Sequence, residues 1–518
     1  MQLRYVFCRL LTIPAAASLA AVPGCASMQR TAQTDEIKSP SQFDLGKAIQ
    51  SAKIDARWPA TDWYSVYGDP QLNQWIERAK ANSPSLALVQ ARLREARALA
   101  GQAASDEKPH IDGSAAVNRH NWPKNGYYGP GDLGGNTTWD NTTSVTLSYN
   151  LDLWGSEMNS SLKALDRAHA AAADTRAAEL DLEANIVRVY IDLAKNYALL
   201  DVAKQTLGQQ QQIAQLAQRR LAGGIGTQLE VSQAQAPLPE AERQKELYQE
   251  AIDLSRDELS ALAGQGPGAA SLLRRPALSL ASQWTLPSVI PAELIGRRPD
   301  VVAARWTIAA NARAIDVSKA QFYPNINLLA SVSQMAAGGA ILTFLSGPDR
   351  GWNAGPAITL PIFEGGRLRA QLGAASAQYD EAVAHYNATL VAAFKDIADQ
   401  VVRLRSLDSQ VQTAARSVAD ATRSYDLAQH GYQRGLTDYL NVLIAQGQLL
   451  RALDVQARVR SQRLAAFASL STALGGGQDM AKESPPEDRL APSKHLSRFM
   501  TRGDGHDAAE MNTYTSSD

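Results

Sequence analysis

Few residues in this chain of 518 could do covalent or metal chemistry. Its seven histidines, His110, His120, His169, His385, His430, His495 and His506, are scattered, with no spacing that would let several of them share an ion. No strained nucleophile turn of the hydrolase type occurs. Gly223-Gly224-Ile225-Gly226-Thr227 resembles a phosphate loop only superficially: it lacks the lysine that would reach the phosphates and does not follow a strand, so it reads as a turn between helices. These absences argue against an enzyme and call for neither metal nor cofactor.

The exception is Cys25. Arg4 and Arg9 precede an apolar stretch from about Leu10 to Val22, too short to span a bilayer, which reads as a signal peptide over 1–24. It runs into Val22-Pro23-Gly24-Cys25, which resembles a lipobox, the motif in which a cysteine after a small residue becomes the acylated first residue of a lipoprotein. Ala26, rather than an aspartate, follows, and by resemblance to the bacterial sorting rule this favours the outer membrane. The alternative is an ordinary secreted chain, left with one exposed free thiol.

The elements that must carry any function are stated twice. Asn82-Ser83-Pro84-Ser85-Leu86 lies over Arg297-Arg298-Pro299-Asp300-Val301, and the register holds without a gap to Pro109-His110-Ile111 over Pro324-Asn325-Ile326. Each copy predicts a helix (Pro84 to about Lys108; Pro299 to Phe322), a strand (from Ile111; Ile326 to Gln334), a polar or Gly-rich loop, a second strand (Val145 to Leu153; Ala357 to Phe363) and a very long helix. The two long helices, about Ser156 to Ala222 and Gly366 to Gln433, would each run about 100 Å. Turns at Gly223–Thr227 and Gly435 lead into return helices, the first interrupted by Pro237 and Pro239, where a kink is expected. Val145, Leu147, Tyr149, Leu151 and Leu153 alternate with polar residues, a pattern that suits a strand between lipid and a wet lumen and equally a half-buried soluble strand.

Composition agrees with long helices: aromatics are 6%, and Lys+Arg 51 against Asp+Glu 52 leaves no basic face for nucleic acid. No stretch beyond the signal is long and apolar enough for a transmembrane helix, so a membrane crossing would be made by strands. Four strands cannot close a barrel, and the two open edges call for copies of the same chain. The organisation expected is a signal peptide (1–24), a lipidated extended lead-in (25–70), a first repeat (71–264), an inter-repeat equatorial segment (265–294), a second repeat (295–474) and a polar, disordered tail (475–518).

Pro291-Ala292-Glu293-Leu294-Ile295-Gly296-Arg297-Arg298-Pro299-Asp300 resembles the inter-repeat signature of NodT-type efflux lipoproteins, within the TolC-like outer membrane factor family. The resemblance covers about Cys25 to Gly476. It implies a mixed α+β membrane protein: a homotrimer whose twelve strands form an outer-membrane β-barrel that continues into a long coiled-coil α-helical barrel across the periplasm. A ring of twelve helices spaced 8–10 Å apart is roughly 35 Å across between axes, leaving a lumen of about 20–25 Å. Three functions follow as alternatives. The first is a passive efflux duct served by an inner-membrane pump and a periplasmic adaptor (membrane fusion) protein. The second is a duct for type I protein secretion, and the third a structural coiled-coil lipoprotein.

By the same resemblance the hairpins meet the adaptor, at Gly223, Gly224, Gly226 and Thr227 in one repeat and Arg434, Gly435, Thr437 and Asp438 in the other. Better-known members place aspartates above the second hairpin, in rings that bind cations; the matching positions here are Asn441 and Ile444, preceded by Leu440. Gly447 stands where some relatives carry an arginine. Glu230 matches Asn441 in the first repeat. A periplasmic gate closed by apolar packing of Leu440 and Ile444 is therefore expected, with Glu230 and Asp438 adding a weak cation preference.

Overall fold

The computed structural model describes residues 36–39, 42–43, 58–125, 133–279, 297–337, 341–342 and 350–493. Cys25, the signal peptide, most of the lead-in, the end of the inter-repeat segment and residues 494–518 lie outside the described residues.

Two helices of 67 residues each set the length of the molecule: α3 (Ser156–Ala222) and α7 (Arg367–Gln433). Neither contains a proline, and at 1.5 Å per residue each spans about 100 Å. The shorter helices are α1 (Pro70–Asn82), α2 (Pro84–Ser105), α4 (Gln228–Gln235), α5 (Leu238–Leu262), α6 (Pro299–Ala320) and α8 (Tyr439–Ala473). α2 and α5 both pack along α3, while α6 and α8 both fill the space between α3 and α7. The expected kink appears as a break between α4 and α5, because Pro237 and Pro239 lack the donors that would continue the helix.

Each pair of short helices meets end to end at a glycine. At Gly264 (φ +67°) a Cβ would lie 2.3 Å from the Asn82 carbonyl oxygen, just before α2 begins; at Gly475 (φ +88°) it would lie 2.2 Å from that of Arg297, just before α6. Only glycine fits such a junction, where a left-handed backbone meets another chain segment at contact distance.

The four strands, β1 (His110–Asn121), β2 (Thr137–Asn150), β3 (Asn325–Ala337) and β4 (Arg350–Thr359), form one antiparallel sheet in that order. Register aligns whole rows by character. Gly113, Val145, Val332 and Trp352 make an apolar row, whereas Asp112, Thr146, Ser331 and Asn353 make a polar row on the other face. Val145, Val332 and Trp352 are all exposed, so this chain has no core against its own sheet.

The second strand of each repeat ends earlier than its alternation suggests. β2 stops at Asn150 because Asp152 (φ +43°) turns out of the sheet and caps α3, its carboxylate accepting from the Glu157 and Met158 amides at 3.0 and 2.9 Å. β4 begins at Arg350 and stops at Thr359, two residues before Pro361, which has no amide hydrogen to donate.

Two segments are more regular than expected. The lead-in packs by its aromatics as a helix rather than an extended run, Trp63–Tyr67 forming a buried 3-10 helix. Trp63 Nε1 donates to Glu183 at 2.9 Å, Lys80 pairs with the same carboxylate at 2.6 Å, and Tyr67 donates to the Leu464 carbonyl at 2.8 Å. Residues 273–279 lie against it, the Arg274, Ala277 and Ser279 amides donating to Gln71, Asp69 and the Tyr67 carbonyl.

The tail is the larger correction. Residues 475–493 do not hang free as polarity alone suggests: they form a strap along α6. Trp306 donates to the Glu483 carbonyl at 2.6 Å, Arg305 to that of Pro485, Tyr379 to that of Leu490, and the Ser493 amide to Asp316. Leu490 and Met480 are buried in the core, and Arg489 lies over the Trp306 ring. A polar segment orders here because backbone carbonyls satisfy side-chain donors of α6 that burial would otherwise strand.

Candidate functional site: the helical hairpins

The ends of α3 and α7 remote from the sheet carry the residues singled out above. In the first hairpin Gly223, Gly224 and Ile225 donate their amides to Arg219, Leu221 and Arg220, closing the last carbonyls of α3, and Gly224 takes φ +72°. Thr227 then caps α4 by accepting from the Glu230 amide at 3.2 Å. A Cβ on Gly226 would meet the Leu221 amide nitrogen at 2.8 Å, so this position has no room for a side chain. The second hairpin repeats the pattern: Arg434 and Gly435 (φ +71°) donate to His430 and Tyr432, and Leu436 to Gly431. Asp438 precedes α8, its carboxylate accepting from Asn441 at 2.7 Å.

Both tips expose an apolar side chain, Ile225 at 70% and Leu436 at 78%. Neither stood out in the sequence, although each follows the left-handed glycine at the same place in its repeat. Two large apolar groups are thus left bare at matching turns.

Among the gate residues, Leu440 and Ile444 are exposed and lie one turn apart on one face of α8. Asn441 is engaged within the hairpin, donating to Thr437 at 2.8 Å as well as to Asp438. Gly447 has space beside Arg451. Glu230 is half-buried, with Oε2 shielded and without a hydrogen-bond partner, and it lies near enough to Tyr432 to push that phenol's ionisation upward, behind burial as the larger cause and against Arg220. The structure therefore places Glu230 near Tyr432 of the second hairpin, half-buried.

Between the hairpins the sequence reading missed an aromatic core. Tyr425, Tyr432 and Tyr439 are buried with Ile213, Ala217 and Val231, and Arg220 stacks over Tyr432 at 5.1 Å. Burial raises the ionisation of Tyr425 and Tyr439 as well, so these phenols stay neutral. The seven-residue spacing of Tyr425 and Tyr432 on α7 is the available signal, because i and i+7 share a helix face, whereas Tyr439 begins α8 beyond the turn. Gln210 and Gln446 hydrogen-bond at 2.8 Å further along, tying α3 to α8.

Among the described residues no group of acidic, histidine or cysteine side chains could hold a metal, and no helix is long and apolar enough to cross a membrane. A doubled strand–helix unit, an uncovered apolar sheet face and paired hairpins at the far end define a class of channel protein. The sequence matches the outer membrane efflux protein family over residues 75–265 and 290–476, and the chain belongs to that family: it is an outer-membrane efflux channel protein.

Among relatives, it is 54% identical over 354 residues to the fusaric acid resistance protein FusA of Burkholderia cepacia, covering 68% of this chain and 67% of that one. It is 29% identical over 444 residues to the pyoverdine export outer membrane protein OpmQ of Pseudomonas aeruginosa, covering 85% and 92%. The crystal structure of the outer membrane protein VceC from Vibrio cholerae superposes with a TM-score of 0.75 at 33% identity, over 81% of this chain and 100% of VceC.

Proposed function

We propose that three copies of this chain close into a continuous duct, with β1 of one copy pairing β4 of the next and the helices forming a ring below. The observation that carries this reading is the sheet: an exposed apolar face, a polar face and two edges without partners among the described residues. A free edge and a bare apolar face are both costly in water, and a twelve-stranded barrel in lipid removes both costs at once.

The duct is passive and draws its energy from an inner-membrane pump, coupled through a periplasmic adaptor that seats on Ile225, Leu436 and the turn residues around them. Acylation of Cys25 anchors the amino terminus in outer-membrane lipid. Relatives named for fusaric acid resistance, pyoverdine export and multidrug resistance favour small molecules as cargo over polypeptides. The gate closes by contact of Leu440 and Ile444 around the axis.

Native mass measurement in mild detergent should give a trimer, and planar bilayers should show discrete conductance; a conducting species absent at every voltage would sink the duct. Labelled fatty acid should enter the wild type and not Cys25→Ser, and equal labelling of both would remove the anchor.

A further inference from the structure

We propose that a recess at mid-height, lined by Arg188 of α3 and Arg403 of α7, is a transit subsite for small aromatic organic anions on the inner wall of the duct. The recess has a volume of about 620 Å³ and lies over α8, between α3 and α7 of one chain. Cavities of roughly 300–1,000 Å³ hold small molecules. Its inward direction rests on the trimeric reading above; the recess itself is complete within one protomer.

α8 has two faces at this height. Leu464, Phe467 and Ala468 meet the lead-in, the Tyr67 ring lying 6.0 Å from that of Phe467. Gln462, Ala465, Ala466 and Ser469 line the recess, roughly 100–200° around the helix from Leu464 at 100° per residue. The lead-in, the 273–279 segment and the carboxy-terminal strap are too bulky for three copies to fit inside a lumen of about 20–25 Å. They therefore sit outside, and the recess faces in.

Neither arginine of the recess forms an ion pair among the described residues, although Asp181 lies within electrostatic reach of Arg188 and Asp399 within that of Arg403. Arg188 donates to the neutral Asn185 side chain at 2.7 Å, and Arg403 has no ion pair among the described residues. Three nearby carboxylates on the same helices are engaged, Asp192 with Lys195, Asp399 with Lys395 at 2.7 Å and Asp408 with Arg463 at 2.6 Å, while Asp181 on α3 is shared between Arg298 and Arg188. Two guanidinium groups thus remain for a carboxylate that can take parallel hydrogen bonds from either fork.

The rest of the lining suits an aromatic acid. Val402, Leu407, Ala465 and Ala466 supply an apolar wall, and Gln400 Oε1, shielded and without a hydrogen-bond partner, awaits a donor on the ligand. Both arginines remain solvent-exposed, so binding is weak, as passage requires: a solute must enter the site and leave it.

The test uses detergent-solubilised full-length protein and 4-hydroxybenzoate, with neutral 4-hydroxybenzamide as control, read by saturation-transfer NMR. The wild type should bind the acid and not the amide. An Arg188→Gln/Arg403→Gln variant, checked for unchanged helicity and oligomeric mass, should bind the acid at least about tenfold more weakly, with partial recovery in the double lysine variant. Equal binding by the glutamine variant, or equal binding of amide and acid, overturns the proposal. Planar-bilayer recordings separate this result from the duct reading. A protein that conducts while its acid binding ignores both arginines refutes the subsite alone, whereas one that binds but never conducts refutes the duct and with it any role in transit.

Discussion

α2 and α6 occupy matching places in the two repeats, start at matching prolines and have 22 residues each, yet α2 buries only Leu86 while α6 buries 14 residues. Neighbours explain the contrast. α6 has α3 on one side, α7 on the other and the strap along its back, whereas α2 packs chiefly on α3. Leu88 and Leu99 of α2 are left bare, as Leu247 and Leu254 are on α5. Duplication copied a backbone, and position within the chain decided which copy became interior. In the proposed trimeric duct the bare flank of α2 and α5 would lie against α7 of the next copy.

The largest effect should come from placing one charge in each helix. Val302→Asp puts an unpaired carboxylate where nothing compensates it, and should cost about 3–5 kcal/mol or prevent folding, read by chemical denaturation. Leu88→Asp should change the stability of the single chain by under about 0.5 kcal/mol while reducing the trimer fraction in native mass spectra. Equal unfolding by the two would break the contrast between edge and interior.

The hairpins sharpen it further. Gly226 and Thr437 are equivalent, but only the second has room for a side chain, so Gly226→Thr should lower stability by about 1–3 kcal/mol and Thr437→Gly by less. Tyr379→Phe removes the hydroxyl that holds Leu490 and should cost about 1 kcal/mol, with faster proteolysis of the strap. Ile444→Asp should leave the single chain nearly as stable as before, since the position is exposed, yet raise bilayer conductance; unchanged current would remove Ile444 from the gate.

Local pattern carried much of this architecture. Prolines at 84 and 299, the proline-free stretches of α3 and α7, and the glycines at 224 and 435 act through backbone geometry, which a sequence displays directly. Strand ends were less legible, because the carboxylate of Asp152 is claimed by a helix that begins after it. The strap was illegible for a different reason: what orders residues 483–493 is their carbonyls, which every residue possesses, meeting Trp306, Arg305 and Tyr379 far away in the chain. Glu230 and Tyr439 belong to the same kind, since the joint packing of α3, α4, α7 and α8 determines what they face.

Because the strap follows α6 and α7 in the chain, the interior of the second repeat cannot be finished until residues 483–493 have been made. Trp306 waits 177 residues for its carbonyl, and Tyr379 waits 111. Closing loops of that length is entropically slow, so the first repeat can settle against the lead-in while the second still lacks its cover. A polypeptide emerging amino-terminus first would thus hold α6 incompletely covered until residues 483–493 arrive, and a chain cut short before them would present Trp306 and its neighbours to whatever binds unfinished protein.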